Sequence, residues 1–260
     1  MDASLITGKV EEKVNAVYMG IDSLVRVSAN LPSSKEGILI VGFPGPGLVG
    51  SIAVQYLVET LSFTQIGNIV SSILPSGSLA ADGLAQAPMR IYEKDSMLVI
   101  LSDVPVSAEG SSIIPAKILE WLCARTTITE IVVIGGVITG GEGERVFGVA
   151  TTRDDVEKIK KSCLILPALN ITGITGAFLT EACMRHIPAT GFLVETNYDV
   201  DSRASAAGLE VIKSLYGFEI DTSPLIAQAD TIEPMLRKLA DDVKKSNVQP
   251  TSFGPDMMYG

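Results

Sequence analysis

The stretch GILIVGFPGPGLVGSIAVQYLVETL (37–61) decides the fold. Residues 37–43 form a continuous β-type run, and residues 50–61 carry the apolar spacing of a helix. A strand without polar alternation is buried on both faces, as in a sheet covered by helices. The same grammar recurs outward from there. IGNIVSSIL (66–74) predicts a second extended segment, and MRIYEK (89–94) with SMLVILSDV (96–104) predicts a strand pair turning at Lys94-Asp95. SIIPAKILEWLCARTT (112–127) predicts a helix with Ser111 or Ser112 near its start, and EIVVIGGV (130–137) another buried strand. GGEGERVFGVATTRDD (140–155) reads as a loop or hairpin leading into a strand, and ITGITGAFLTEACMRH (171–186) as a Gly/Thr loop running into a helix. TGFLVETN (190–197) reads as the last core strand. Strands separated by helices predict a three-layer α/β/α sandwich with a mostly parallel or mixed central sheet.

Two more helices are expected. One spans about 201–216, with Asp201 or Ser202 as cap and Gly217 as terminator; the other runs from Pro224 to Lys245 behind Asp221, Thr222 or Ser223. Residues 1–245 then make one domain, within which residues 1–20 stay unexplained. SNVQPTSFGPDMMYG (246–260), with two prolines, two glycines and no period, reads as a flexible tail.

Composition narrows the function. The chain has 260 residues, enough for a sizeable core, and 30 acidic against 20 basic side chains give a net charge of −10. Duplex affinity comes mainly from Lys and Arg on phosphates, so nucleic acid is not an expected partner, and an anionic membrane would repel the chain. The apolar runs are too short and too interrupted by Gly and Pro to span a bilayer. The first residues carry acids and no continuous apolar core, so no signal peptide is expected. Cys123, Cys163 and Cys183 are odd in number and widely spaced, which suits a reduced cytoplasm. With one histidine and no cysteine pair, neither a zinc site nor another cofactor is expected.

Gly45-Pro46-Gly47-Leu48-Val49-Gly50 is formally a GxGxxG between strand and helix. A dinucleotide site would also need an acid about 20 residues on for the ribose, and residues 66–74 hold none. Pro46 removes an amide donor as well, so the loop is expected to be a tight turn with close packing. The lysine of a P-loop is absent, and ATP is not implied. No serine at 76, 78, 111 or 112 sits in a nucleophile elbow. His186 follows a helical stretch, where a cation complements the dipole. Glu142, Glu144, Asp199 and Asp201 fall in loops or caps. Asp103, at the end of a buried strand where α/β ligand sites gather, is the strongest single carboxylate. A ligand pocket would gather Gly45, Gly47, Asp103 and Thr175.

The ordered set ILIVGFPGPGLVG, DGLAQAPMRIY, LVILSDVPV, VVIGGV, VFGVATT and ITGITG resembles the proteasome assembly chaperone 2 family in its archaeal form, over roughly residues 37–245. That resemblance implies a fold similar to nucleoside phosphorylases without their catalytic residues, and self-association into a homo-oligomer. Met258-Tyr259-Gly260 at the terminus resembles the HbYX motif, by which proteasome activators dock into pockets between neighbouring α-ring subunits. Met258 would be an adaptable apolar anchor, Tyr259 a large ring with few torsions to freeze, and the Gly260 carboxylate a charge for a partner lysine. Residues 246–257 would span about 20 Å as a coil and about 40 Å at full stretch, enough to leave the body. The expectation is a non-enzymatic proteasome chaperone or adaptor. The alternatives are a phosphorylase- or hydrolase-like enzyme on the same architecture, and a scaffold whose tail is inert.

Overall fold

The computed structural model describes residues 24–74, 77–81, 83–141, 145–227 and 229. Ser76, Glu142, Glu144, most of the 224–245 helix and the terminal Met258, Tyr259 and Gly260 lie outside the described residues.

Four parallel strands form the centre of the sheet: β2 (Glu36–Gly42), β7 (Met97–Ser102), β8 (Thr127–Val137) and β11 (Ala189–Glu195), side by side in the order β7-β2-β8-β11. Every residue of β11 is buried, and β2 is buried through its last four positions. That is the physical meaning of a run without alternation: both faces are covered. Antiparallel strands flank the centre. β6 (Met89–Lys94) pairs with β7, β3 (Thr64–Ser71) with β6, and β1 (Val25–Ala29) with β3. On the other side β9 (Val146–Ala150) runs antiparallel to β11, and β10 (Leu164–Ile165) lies parallel to β9. The sheet is therefore mixed with a parallel core. A small hairpin of β4 (Leu79–Ala81) and β5 (Leu84–Gln86) stands apart from it.

Helices α1 (Val49–Thr60) and α5 (Ser202–Tyr216) cover one face, where Val54, Leu57, Leu209 and Ile212 meet Ile40, Val132, Ile134 and Val194. Helices α2 (Ala108–Cys123) and α4 (Gly173–Arg185) cover the other, where Ile114, Ile118 and Phe178 meet Leu39, Val41, Ile131 and Val133. Alternate residues of β8 thus serve opposite layers, as the period of a strand requires. Each fully buried side chain of this kind contributes about 1.5–3 kcal/mol by leaving water. The three-layer sandwich expected from the sequence is present.

Three details differ from the sequence expectations. Helix α2 starts about a turn before the expected segment: its cap is Ser107, whose hydroxyl accepts from the Gly110 N–H at 3.2 Å, and Ser111 lies in its first turn. Pro115 lies inside the helix. The segment after β9 forms a short helix, α3 (Arg153–Ile159), where Thr152 caps Asp155. Strands β1, β4, β5 and β10 join the architecture without having been anticipated. Elsewhere Asp201 caps α5 by accepting from the Ala204 N–H at 2.8 Å, and Gly217 closes it at φ 72, both as expected. Residues 223–227 are helical, in accord with a helix starting near Pro224.

Candidate functional site

After β2 the chain turns through a short 3-10 segment, Pro46–Leu48, straight into α1. Gly47 has φ 64 and is buried, and a Cβ there would lie 2.6 Å from the Thr196 hydroxyl. A Cβ on Gly50 would lie 2.5 Å from the Ile134 carbonyl oxygen. These two glycines let α1 settle onto the ends of β8 and β11, the close approach that only glycine permits. The Asp201 N–H donates to the Gly47 carbonyl at 2.9 Å and ties the turn to α5. Gly45 is exposed, with open space where its side chain would be. The glycine pattern is thus a packing device, as its sequence context suggested. Leu48 is the exception: it takes φ 51 with a branched side chain, a conformation costing about 1–2 kcal/mol.

Asp103 follows β7 and is held by Arg90 of the neighbouring strand. The Arg90 guanidinium forks onto both carboxylate oxygens, one at 3.0 Å, while its Nε donates to the Tyr92 hydroxyl at 2.7 Å and Nη1 to the Ala87 carbonyl at 3.0 Å. The Arg90 side chain is 2% exposed and that of Asp103 26%. Burial pulls the Arg90 pKa down, but hydrogen bonds to Asp103 and Tyr92 outweigh it and raise the net value, so the guanidinium stays charged. Beside the pair opens a cleft of about 460 Å³ along the outer stripe of α1, lined by Pro44, Leu48, Ile52, Tyr56, Asp103 and Leu225 among others. Thr175 is elsewhere: it sits in the first turn of α4, against Gly135 on the opposite face of the sheet. Of the four predicted pocket residues, only Asp103 lines the cleft. Gly45 and Gly47 belong to the adjoining turn, and Thr175 is separated from them by the sheet.

A second polar cluster was not foreseen. Glu195, at the end of β11, is 0% exposed and accepts from Arg145 Nε at 2.9 Å, from Arg145 Nη2 at 2.6 Å, and from the Thr139 hydroxyl. The bond to Glu195 raises the pKa of Arg145. Asn197 fastens the neighbouring loop by donating to the Gly141 carbonyl at 2.6 Å. The one sequence signal was an acid ending an otherwise apolar run. His186 is exposed and closes α4 at φ 56, its N–H donating to the Cys183 carbonyl at 3.2 Å, which is a structural position. Burial raises the pKa of Cys163, the opposite of what activates a thiol nucleophile. Among the described residues no group of three or more His, Cys, Asp or Glu could hold a metal, and no helix is long and apolar enough to cross a membrane.

Residues 39–240, from β2 past the end of α5, match the PAC2 family. The chain belongs to the PAC2 family. Among solved PAC2-like structures, Pyrococcus furiosus PbaA, described as an archaeal homolog of proteasome-assembly chaperone, superposes with a TM-score of 0.75 at 28% identity, covering 85% of this chain and 94% of PbaA. Pyrococcus furiosus PbaB, described as an archaeal proteasome activator, shares the fold with a TM-score of 0.72 at 24% identity, over 83% of this chain and 98% of PbaB. In sequence, the uncharacterized protein MJ0106 of Methanocaldococcus jannaschii is 28% identical over 223 residues, 85% of this chain and 92% of its own length. The PAC2 match spans every element around the cleft, so the Asp103 corner is part of the family domain and not an appendage.

Proposed function

We propose that the protein is a non-enzymatic proteasome chaperone or adaptor that docks its C-terminal Met258-Tyr259-Gly260 into pockets between α-ring subunits. The observation that carries this reading is the PAC2 match across residues 39–240, joined to the 28% identity with PbaA, a proteasome-assembly chaperone homolog. The terminal three residues add the docking element, because the PAC2 match ends 18 residues before them (258 − 240) and leaves a connecting segment. In the described body, the strand-end carboxylates Asp103 and Glu195 are both bound by arginines, which favours binding over catalysis as the body's work.

A lone tail binds weakly, since ordering it consumes contact energy. Several tails on a homo-oligomer act together and raise avidity by about 10²–10⁴ when their spacing suits the ring. The chain is accordingly read as a cytoplasmic homo-oligomer that places its α/β/α body over a ring face or an assembling set of α-subunits.

The test is a binding assay of intact protein and a variant lacking residues 258–260 against purified archaeal core particle. Truncation is expected to abolish binding while the circular dichroism of the body stays unchanged. Tyr259→Ala should remove most of the affinity and Met257→Ala little. Undiminished capture of the truncated chain, or equal effects of the two substitutions, would refute the tail as the docking element.

A further inference from the structure

We propose that the cleft beside Asp103 binds a small organic molecule with an apolar body and a protonated amine at one end. None of the residues it is argued from belongs to the C-terminal tail. Its position follows from topology. β2 and β7 are adjacent and parallel, yet α1 after β2 lies on one face of the sheet and α2 after β7 on the other. Divergent connections open a crevice at the carboxyl ends of such strands, where α/β sheets take their ligands. Pro44 and Asp103, just beyond the two strands, line the cleft.

The walls set the ligand's body. Leu48, Ile52, Tyr56 and Leu225 present apolar surface, and a volume of about 460 Å³ suits a small molecule.

Charge sets the head group. The described residues lining the cleft include two carboxylates, Asp103 and Glu59, and no lysine or arginine. Arg90 lies beneath at 2% side-chain exposure, so its charge is spent on Asp103 and does not face the cleft. A carboxylate offers about four acceptor sites, and the bidentate arginine occupies two. The remaining edge of Asp103 is held in a fixed orientation for a donor. An anionic ligand would meet Glu59 and the free edge of Asp103, while the nearby cation, Arg90, is buried beneath and already paired.

The experiment titrates the full chain with benzylamine at pH 7, following backbone amides by 1H–15N NMR, with phenylacetate as a probe of the same shape and opposite charge. Benzylamine should give saturable shifts at Leu48, Ile52, Tyr56 and Asp103, and phenylacetate should bind weaker by about tenfold or more. Ile52→Trp, which fills the cleft from a partly exposed helix position, should abolish the benzylamine shifts without moving the unfolding midpoint. Equal affinity for the two probes, the absence of saturable shifts at these residues, or their persistence in Ile52→Trp would each overturn the proposal. None of these outcomes bears on ring binding, which is read from a different part of the chain.

Discussion

Two arginine–carboxylate pairs close the carboxyl-terminal edge of the sheet, and they are built in opposite senses. Both use the same arrangement: an arginine at the start of an antiparallel flanking strand reaches an acid at the end of a parallel one. Between β6 and β7 the base is the buried member, with the Arg90 side chain 2% exposed and Asp103 26%. Between β9 and β11 the acid is buried, with Glu195 at 0% and Arg145 at 53%. The buried member determines what a broken pair costs, and the exposed member determines what the surface offers. One corner of the molecule therefore presents a fixed carboxylate and the other a guanidinium, although both pairs are neutral as units.

The sharpest way to break this comparison is Asp103→Ala. It leaves the Arg90 guanidinium without its carboxylate inside the protein, and stranding a buried charge costs about 3–5 kcal/mol. Urea unfolding should show a loss of that size. The counterpart, Glu195→Gln, leaves Arg145 at the surface, where water replaces its partner, so the loss should be clearly smaller. The glutamine also keeps an oxygen for the Thr139 hydroxyl. Equal losses for the two variants would mean that exposure does not govern the cost of breaking either pair, and the asymmetry described above would carry no energetic weight.

The same pairs mark the limit of what the sequence made legible. The central strands could be read directly, because GILIVGF, EIVVIGGV and TGFLVETN are apolar on both faces and few other structures tolerate that. Asp103 was visible as an acid at a strand end. Arg90 was not: in MRIYEK it sits among alternating apolar and polar letters, and that pattern describes a half-exposed strand rather than a fully buried arginine. The partner that changes its meaning is 13 residues away across a hairpin. Helix α2 was legible from the spacing of its apolar residues but not its first turn, Ala108 to Ser111, which has no large apolar residue to extend that spacing; packing of Ile114, Ile118 and Trp121 supports the helix with Pro115 inside it. The edge strand β10 has two residues, too few for any period. Helix α3 did leave a signal, Thr152 three residues ahead of Asp155, within a segment whose glycines suggested a loop.

The smallest effect concerns a third carboxylate, at the opposite edge of the sheet. Glu130 near the start of β8 has a 12% exposed side chain; it accepts from Lys158 at 3.1 Å and from the Tyr216 hydroxyl, and Lys158 Nζ also lies 4.8 Å from the centre of the Tyr216 ring. Here the neighbour that matters is a proton donor rather than a buried cation. Burial first, and then the hydrogen bond to Glu130, push the Tyr216 pKa far above the ordinary phenol value. The sign follows directly. The native state keeps the phenol proton where the unfolded chain, with a pKa near 10, gives it up, so this contribution is fully present below about pH 10 and is lost as pH rises toward the native value. One group can change stability by at most about 1.4 kcal/mol per pH unit in that window. Urea midpoints of the intact protein should therefore fall more steeply between pH 10 and pH 11 than those of Tyr216→Phe, whereas at pH 7 to 9 the two curves should run parallel. Parallel curves through the alkaline range as well would show that neither burial nor Glu130 holds the Tyr216 proton beyond the pH at which the unfolded chain releases it.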